Sequence, residues 1–271
     1  MGSGSAYFVG CSGWSYGKWK GPFYPIDTKI KDMLHLYSET FSAVEIDSTF
    51  YGIPSGSTVK NWYSSTVKGF IFCPKLPRLI THDKKLTHCE SDLGVFMEKI
   101  QGLKEKLGPI LIQLPPWMTY DHHFNDLNEF VNILNDGNLF AMEFRDMSWF
   151  REDVLRILRE KNIITVWADI PYVKPPPWIT GNSIYLRLVG DRSIGEDKFG
   201  TVALDKDENI LYWANLLRRS EFEKAYIFAN NHFEGFSPLT ANKIMKGLAL
   251  EMPKWPNFMG GNNNSVQKTL F

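Results

Sequence analysis

The feature that most constrains the fold is a series of eight short apolar segments recurring along the 271 residues. Many of these segments are rich in β-branched or aromatic residues, and nearly all end at a polar residue or a proline, as buried strands do. Segments with the period of an amphipathic helix lie between most of them, and this alternation predicts a parallel sheet. The eight predicted strands are Tyr7–Gly10, Ala43–Ile46, Phe70–Cys73, Ile110–Gln113, Leu139–Phe144, Ile163–Ala168, Ser183–Leu188 and Ala225–Ala229.

Eight strand–helix repeats predict an α/β fold in which the sheet closes into a (β/α)8 barrel of the TIM type. An open, doubly wound sheet is the alternative. No Gly-x-Gly-x-x-Gly motif follows the first strand, which disfavours a dinucleotide-binding sheet. The connection after the sixth strand contains Pro171-Tyr-Val-Lys-Pro-Pro-Pro177, which cannot be helical. We therefore expect the sixth helix to be missing or replaced.

The length suits a single domain, because one α/β barrel commonly takes about 250 residues. We predict a disordered or expression-derived N-terminus over 1–6, one barrel domain over 7–252 and a flexible C-terminal tail over 253–271. The tail prediction rests on Gly260-Gly-Asn-Asn-Asn-Ser265, a composition typical of flexible linkers.

Strand parity predicts where the charged residues point, because neighbouring side chains on a strand face opposite sides. In the second strand, Val44 and Ile46 share one face, and Glu45 and Asp47 share the other. The outer face of a barrel packs on the helices, so the charged face points to the barrel axis. These residues come late in their strands and are expected to form one pocket at the carboxyl-terminal mouth: Glu45, Asp47, Lys75, Gln113, Glu143, Arg145, Asp169, Arg187 and Asn230.

Three basic residues of this set, Lys75, Arg145 and Arg187, suggest an anionic ligand, because guanidinium groups bind carboxylate or phosphate through paired hydrogen bonds. The alternative is a structural network in which each cation pairs with a neighbouring carboxylate. The two interpretations are compatible if the cations form ion pairs when the pocket is empty and contact the ligand when it is filled.

Several short motifs follow one another along the chain, including Val9-Gly-Cys-Ser-Gly-Trp-Ser-Tyr16, Val44-Glu-Ile-Asp-Ser-Thr-Phe-Tyr51, Gln113-Leu-Pro-Pro116, Glu143-Phe-Arg-Asp146, Tyr185-Leu-Arg187 and Asn230-Asn-His-Phe-Glu-Gly235. In this order they resemble the YecE-like family, also called domain of unknown function 72. The resemblance spans residues 7 to about 240 and implies a barrel fold and a cytoplasmic location. It implies no established reaction. Asp47 stands where the family pattern leads us to expect asparagine, which adds a negative charge to the pocket.

Acid–base groups or metal ligands are available among the acidic residues and one histidine near the strand ends. Carboxylates and imidazole suit Mg²⁺, Mn²⁺ or Zn²⁺, so a divalent metal is an open possibility. The chain has only six histidines and His232 alone lies at a strand end, which disfavours a centre with several zinc ions. The candidate catalytic residues are Glu45, Asp47, Glu143, Asp169 and His232.

Aromatic residues on or just after the strands are expected to line the rim of the pocket, where rings stack on bases or sugars. With the polar residues of the mouth, they make up the predicted substrate-binding set: Lys75, Gln113, Arg145, Arg187, Asn230, Trp14, Tyr51, Trp149 and Trp167.

Composition excludes some classes of function. Lys and Arg together number 30, as do Asp and Glu, so bulk electrostatic coating of nucleic acid or membrane is disfavoured. No apolar run reaches the roughly 20 residues that span a bilayer. Three unpaired cysteines indicate a reducing, cytoplasmic compartment.

The C-terminus ends in Gln267-Lys-Thr-Leu-Phe271. This is similar to the short peptides through which DNA-processing proteins dock on sliding clamps, with Gln267 making polar contacts and Leu270 and Phe271 filling an apolar pocket. Chance similarity and folding back onto the barrel are the alternatives.

We therefore hypothesise a hydrolase that binds a phosphate-bearing nucleotide or nucleic acid at the barrel mouth. One alternative is a carbohydrate-active hydrolase that uses Glu45 and Glu143 as its carboxylate pair. Another is a non-catalytic binding protein tethered to a clamp through its tail.

Overall fold

The strand prediction is confirmed in a computed structural model, which describes residues 5–256. Eight parallel strands occur in the described part of the chain, and their ends lie within two residues of the predicted ones. They are β1 (Ala6–Ser12), β2 (Ala43–Ile46), β3 (Ile71–Pro74), β4 (Ile110–Gln113), β5 (Phe140–Glu143), β6 (Ile164–Asp169), β7 (Ser183–Leu188) and β8 (Lys224–Ala229).

The strand order is β3-β2-β1-β8-β7-β6-β5-β4, and every neighbouring pair is parallel. Each pair joins strands that are consecutive along the chain, except that β1 pairs with β8. Isolated bridges from Phe72 to Leu107 and from Lys75 to Leu111 connect β3 to β4. The sheet is therefore a nearly closed TIM-type barrel and not an open doubly wound sheet.

Helices alternate with the strands, except after β6. No α-helix separates Asp169 from Ser183, as the proline-rich segment predicts. The α-helices of the described residues are α1 (Ile30–Thr40), α2 (Ser48–Tyr51), α3 (Gly56–Ser65), α4 (Glu90–Ile100), α5 (Tyr120–Ile133), α6 (Glu152–Glu160), α7 (Asp207–Arg219), α8 (Asn231–Glu234) and α9 (Ser237–Gly247).

The two faces of the strands separate as parity predicts. Val44, Ile46 and Leu186 point outward and belong to an apolar layer packed with the helices. Cys73 and Leu111 belong to a second cluster that fills the inside of the barrel. Since the inward positions nearest the carboxyl ends are polar, the apolar filling stops below the mouth.

The predicted boundaries shift slightly at both ends. Ser5 donates a hydrogen bond to the carbonyl of Phe222 at 2.8 Å, and Ala6 begins β1. At the other end, Trp255 is 3% exposed and its ring contacts Phe23 and Phe236, so the packed body continues past the predicted boundary at 252. The proposed clamp contacts of Gln267, Leu270 and Phe271 lie outside the described residues.

None of the helices in residues 5–256 combines the length and the apolar character that a bilayer span requires.

Two tryptophans predicted for the pocket rim are core residues instead. Trp149 is fully buried, stacks on Phe144 at 5.3 Å and donates its indole N–H to the carbonyl of Met118 at 2.6 Å. Trp167 is an outward-facing residue of β6 and packs on Trp213 at 6.0 Å. Burying a large apolar ring is favourable, which explains why both tryptophans lie in the core and not at the pocket rim.

We expect Trp149→Ala to lower the free energy of unfolding by about 3–5 kcal/mol, because it leaves a ring-sized cavity in the core. Tyr51→Ala, at a side chain 78% exposed, is the matched control and is expected to change stability by less than about 0.5 kcal/mol. Urea unfolding followed by circular dichroism compares the two. Equal effects of the two substitutions would contradict the core assignment.

Candidate functional site

A buried arginine lies at the centre of the barrel, just below its mouth. Arg187 on β7 is 2% exposed. Its Nε and Nη2 donate to the two carboxylate oxygens of Glu45 on β2, at 2.8 and 2.7 Å. Its Nη1 donates to Oε2 of Glu143 on β5 at 2.5 Å. One guanidinium therefore links three strands that are not neighbours in the sheet.

The carboxylates of this cluster have further donors. Glu45 also accepts from the hydroxyls of Ser12 at 2.7 Å and Tyr185 at 2.8 Å. Glu143 also accepts from Nε of Arg145. Both glutamates are completely buried. We call Arg187, Glu45, Glu143 and Arg145 the Arg187 cluster, and it is the ion-pair network that the sequence left as an alternative to ligand binding.

Burial favours the neutral form of Glu143, but the charges of Arg145 and Arg187 outweigh it and lower the pKa of Glu143 to about 2. Glu143 is therefore a carboxylate throughout the physiological range. It cannot supply a proton as a general acid, which a glycosidase requires of one carboxyl group.

A cavity of about 600 Å³, the mouth cavity, opens above the Arg187 cluster. Its wall includes five basic side chains and three acidic ones, with Phe50, Tyr51 and Tyr172 among its aromatic residues. Glu45 and Glu143 lie beneath the wall and do not line the cavity. The charged lining residues are Asp47, Lys75, Arg78, Arg145, Arg187, Asp191, Arg192 and Glu196.

Lys75 follows β3 and reaches the mouth cavity although the residue is only 7% exposed. Its ammonium group donates to Oε1 of Gln113 at 2.9 Å and lies 4.0 Å from the ring centre of Phe50. Burial lowers the pKa of Lys75, an effect that the nearby Asp47 opposes. Lys75 therefore places a poorly hydrated cation in the cavity wall.

Asp47 is the acidic residue of the predicted set that borders the mouth cavity. Its Oδ1 lies 3.9 Å from Lys75 Nζ and 3.8 Å from Arg187 Nη2. Within residues 5–256 this buried oxygen has no hydrogen-bond partner, although the side chain as a whole is 31% exposed. A carboxylate oxygen at the edge of the cavity, without a donor of its own, is suited to accept a hydrogen bond from a ligand.

His82 also lines the mouth cavity and was not predicted as a site residue. It lies in the π-helical turn Leu79–Asp83, and its ring contacts Phe50 edge-on at 5.0 Å. Burial and the charges of Lys75 and Arg78 lower the pKa of His82 to about 4, so the imidazole is neutral at physiological pH. Its position in a strand-to-helix loop at the barrel mouth was the available signal.

Of the remaining predicted residues, four line the mouth cavity and one does not. Gln113, Asn230 and His232 line the mouth cavity, as does the exposed Tyr51. Asn230 caps α8 by accepting from the backbone N–H of His232 at 3.0 Å. Trp14 does not line this cavity and packs on Trp62, edge to face, at 5.9 Å.

The prediction that Asp169 points into the mouth cavity is wrong. Asp169 has the same strand parity as the outward-facing Trp167. Its Oδ2 accepts from the indole of Trp213 at 2.7 Å and from the amide of Asn209 at 3.0 Å, both on α7. Asp169 therefore lies on the outer side of β6, facing α7 and not the barrel axis.

The described residues do not fit a divalent metal centre. Across residues 5–256, no group of three or more His, Cys, Asp or Glu side chains is placed to hold a metal ion. Two of the predicted ligands are committed to Arg187 and another faces α7. The predicted ligands, Glu45, Asp47, Glu143, Asp169 and His232, are thus not brought together as one ligand set.

Residues 8–261 match the family model described as "Protein of unknown function DUF72". The chain belongs to the DUF72 family. The predicted resemblance to YecE-like proteins is thereby confirmed, and this DUF72 barrel carries the Arg187 cluster and the mouth cavity described above.

Curated relatives of this DUF72 chain include UPF0759 protein YecE from Escherichia coli K12, 31% identical over 108 residues. That match covers 40% of this chain and only 37% of YecE. UPF0759 protein YunF from Bacillus subtilis 168 is 26% identical over 214 residues, which cover 74% of this chain and 67% of YunF.

Solved DUF72 structures share the fold. A protein from Thermotoga maritima MSB8 has a TM-score of 0.75 at 28% identity, covering 90% of this chain and 99% of that one. A protein from Enterococcus faecalis V583 has a TM-score of 0.73 at 20% identity, covering 92% and 99%.

We expect Glu143→Gln to lower the free energy of unfolding at pH 7 by about 3–5 kcal/mol, because it breaks a buried ion pair from one side. The folded-state pKa of Glu143 lies below its usual 4.5, so its contribution is complete above about pH 4.5 and is lost as the pH falls towards 2. Urea titrations between pH 7 and pH 3 measure the loss of unfolding free energy at pH 7 and its decrease as the pH falls. Glu160→Gln, on the exposed end of α6, is the control; equal effects of the two variants would contradict the ion-pair cluster.

Proposed function

We propose that this DUF72 barrel is a hydrolase that holds a phosphate-bearing ligand, a nucleotide or a nucleic-acid end, in the mouth cavity. The observation that carries the proposal is the buried ammonium of Lys75, which borders the mouth cavity beside the guanidinium groups of Arg145 and Arg187. A desolvated cation binds an anion more strongly than a hydrated surface lysine does.

Donors remain for such an anion. Arg145 and Arg187 each use three of their guanidinium N–H groups in hydrogen bonds among the described residues. A guanidinium has five such donors. Lys75 donates to Gln113 alone in that part of the chain, which leaves two ammonium N–H groups for phosphate oxygens.

The hydrolytic chemistry is assigned to Asp47 in place of the two buried glutamates. Water adds across a P–O bond: its oxygen attacks phosphorus, one of its protons passes to a base, and the leaving oxygen takes up a proton. Asp47 Oδ1 supports the role of base because Asp47 borders the mouth cavity and this oxygen has no donor among residues 5–256. The neutral imidazole of His82 lies on the same wall as a second proton acceptor.

The alternatives have less support from the geometry. A glycosidase mechanism needs Glu45 and Glu143 on either side of a sugar, whereas both bind Arg187 and neither lines the mouth cavity. A non-catalytic binding protein would use the same cations without turnover. Docking of Gln267, Leu270 and Phe271 on a sliding clamp stays a separate prediction.

Lys75→Met is expected to weaken the binding of inorganic phosphate at least tenfold, because it removes the buried cation while keeping the length of the side chain. Isothermal titration calorimetry at low ionic strength measures the affinity. Lys60→Met, at an exposed lysine of α3 outside the mouth cavity, is expected to leave it unchanged. If neither substitution changes binding, the phosphate site is not in the mouth cavity.

Asp47→Asn is expected to abolish hydrolysis of an aryl phosphodiester while retaining phosphate affinity, since the amide is nearly isosteric but a far weaker base. Release of the aryl alcohol is followed with added divalent ions and with a chelator. Aryl glycosides are assayed alongside. Glycoside cleavage alone would reverse the proposal, and phosphate binding without any cleavage would favour the non-catalytic alternative.

A further inference from the structure

A second cavity of about 360 Å³ lies beside the mouth cavity, in the region where no α-helix connects β6 to β7. We call it the side chamber. Its walls come from the end of β6, the proline-rich segment that follows it, the end of β7, and α7 and α8. An ordinary helix after β6 would occupy this region, so the proline-rich segment leaves space where most barrel positions are filled.

The side chamber and the mouth cavity share a wall. Gly190, Asp191 and His232 line both of them. Gly190 has φ of +76°, and a Cβ there would lie 2.1 Å from the carbonyl oxygen of His232. His232 is itself held through Nδ1, 3.0 Å from the carbonyl oxygen of Ile194. Gly190, Asp191 and His232 therefore form a boundary common to the two cavities, and a ligand with two parts would reach across it to occupy both.

The side chamber combines aromatic surface with the carboxylate of Asp169 and two lysines, Lys174 and Lys206. Trp213, Tyr212 and Phe233 provide aromatic surface, and Tyr212 is 56% exposed. Asp169 lines the chamber with Oδ2 accepting from Trp213 and Asn209. Its Oδ1 has no hydrogen-bond partner among residues 5–256, which leaves a carboxylate acceptor within an aromatic wall.

We propose that the side chamber binds the base of a nucleotide whose phosphate lies in the mouth cavity. Aromatic rings stack on the faces of a base, and the free oxygen of Asp169 accepts a hydrogen bond from a ring N–H or an amino group, as on the edge of guanine. The inference rests on the proposed phosphate site and narrows its substrate class from nucleotides and nucleic-acid ends in general to nucleotides whose base offers an N–H or amino donor. It also gives Asp169 a binding role in place of the predicted catalytic one.

Calorimetry with four probes tests the inference: guanosine monophosphate, guanosine, ribose 5-phosphate and inorganic phosphate. The wild-type protein is expected to bind the nucleotide at least tenfold more tightly than ribose 5-phosphate, since stacking of the base adds to the affinity. Tyr212→Ala is expected to remove about tenfold of this preference without changing the affinity for ribose 5-phosphate. Asp169→Asn is expected to act in the same direction.

Leu211→Ala is the matched control, because Leu211 precedes Tyr212 on α7, is 57% exposed and does not line the side chamber. Equal affinity for nucleotide and ribose 5-phosphate, or equal effects of Tyr212→Ala and Leu211→Ala, would overturn the base-binding inference and leave the phosphate site standing. Guanosine binding that depends on Tyr212, without binding of any phosphate compound, would support the side chamber and overturn the mouth-cavity proposal. No binding of any probe would overturn both.

Discussion

The buried charge of Arg187 is the constraint on which the rest of the site depends. A guanidinium inside a barrel is strongly destabilising unless carboxylates surround it, and Glu45 and Glu143 do so from β2 and β5. Since one side chain joins three separate strands, the ion pairs also favour a single alignment of those strands across the barrel. Well-packed apolar residues fill such a space at lower cost, so the cluster is explained better by the site above it than by stability.

Because the Arg187 cluster occupies the two buried glutamates, the groups available for chemistry are those that line the mouth cavity above it. Once both glutamates are satisfied by Arg187, Arg145 and neighbouring hydroxyls, Asp47 Oδ1 is left as an unpaired acceptor among the described residues, and Lys75, Arg145 and Arg187 keep unused N–H donors at the mouth cavity. The buried carboxylates of Glu45 and Glu143 balance the charges of Arg187 and Arg145, whereas Lys75 donates to a neutral partner, Gln113. A phosphate ester suits this arrangement because its oxygens accept from the N–H donors that these three cations keep unused.

The absence of an α-helix between β6 and β7 shapes the side chamber, the second part of the proposed site. Proline after β6 prevents a helix, and the extended segment leaves the side chamber open between β6 and α7. Asp169, which parity turns outward, then lines the side chamber where a helix would otherwise bury it. The two cavities together offer separate surroundings for the charged and the aromatic part of one ligand.

Local sequence by itself determined the eight strands, the lack of a sixth helix and the inward direction of Glu45, Glu143 and Arg187, because each follows from strand parity or proline geometry within a few residues. Only the tertiary structure decided that these three charges bind one another, that Trp149 and Trp167 are core, and that His82 reaches the mouth cavity. Parity gives the face of a strand that a side chain occupies. Its partners come from strands and loops far away in the chain, so hydrogen bonds and burial are settled only when the barrel closes.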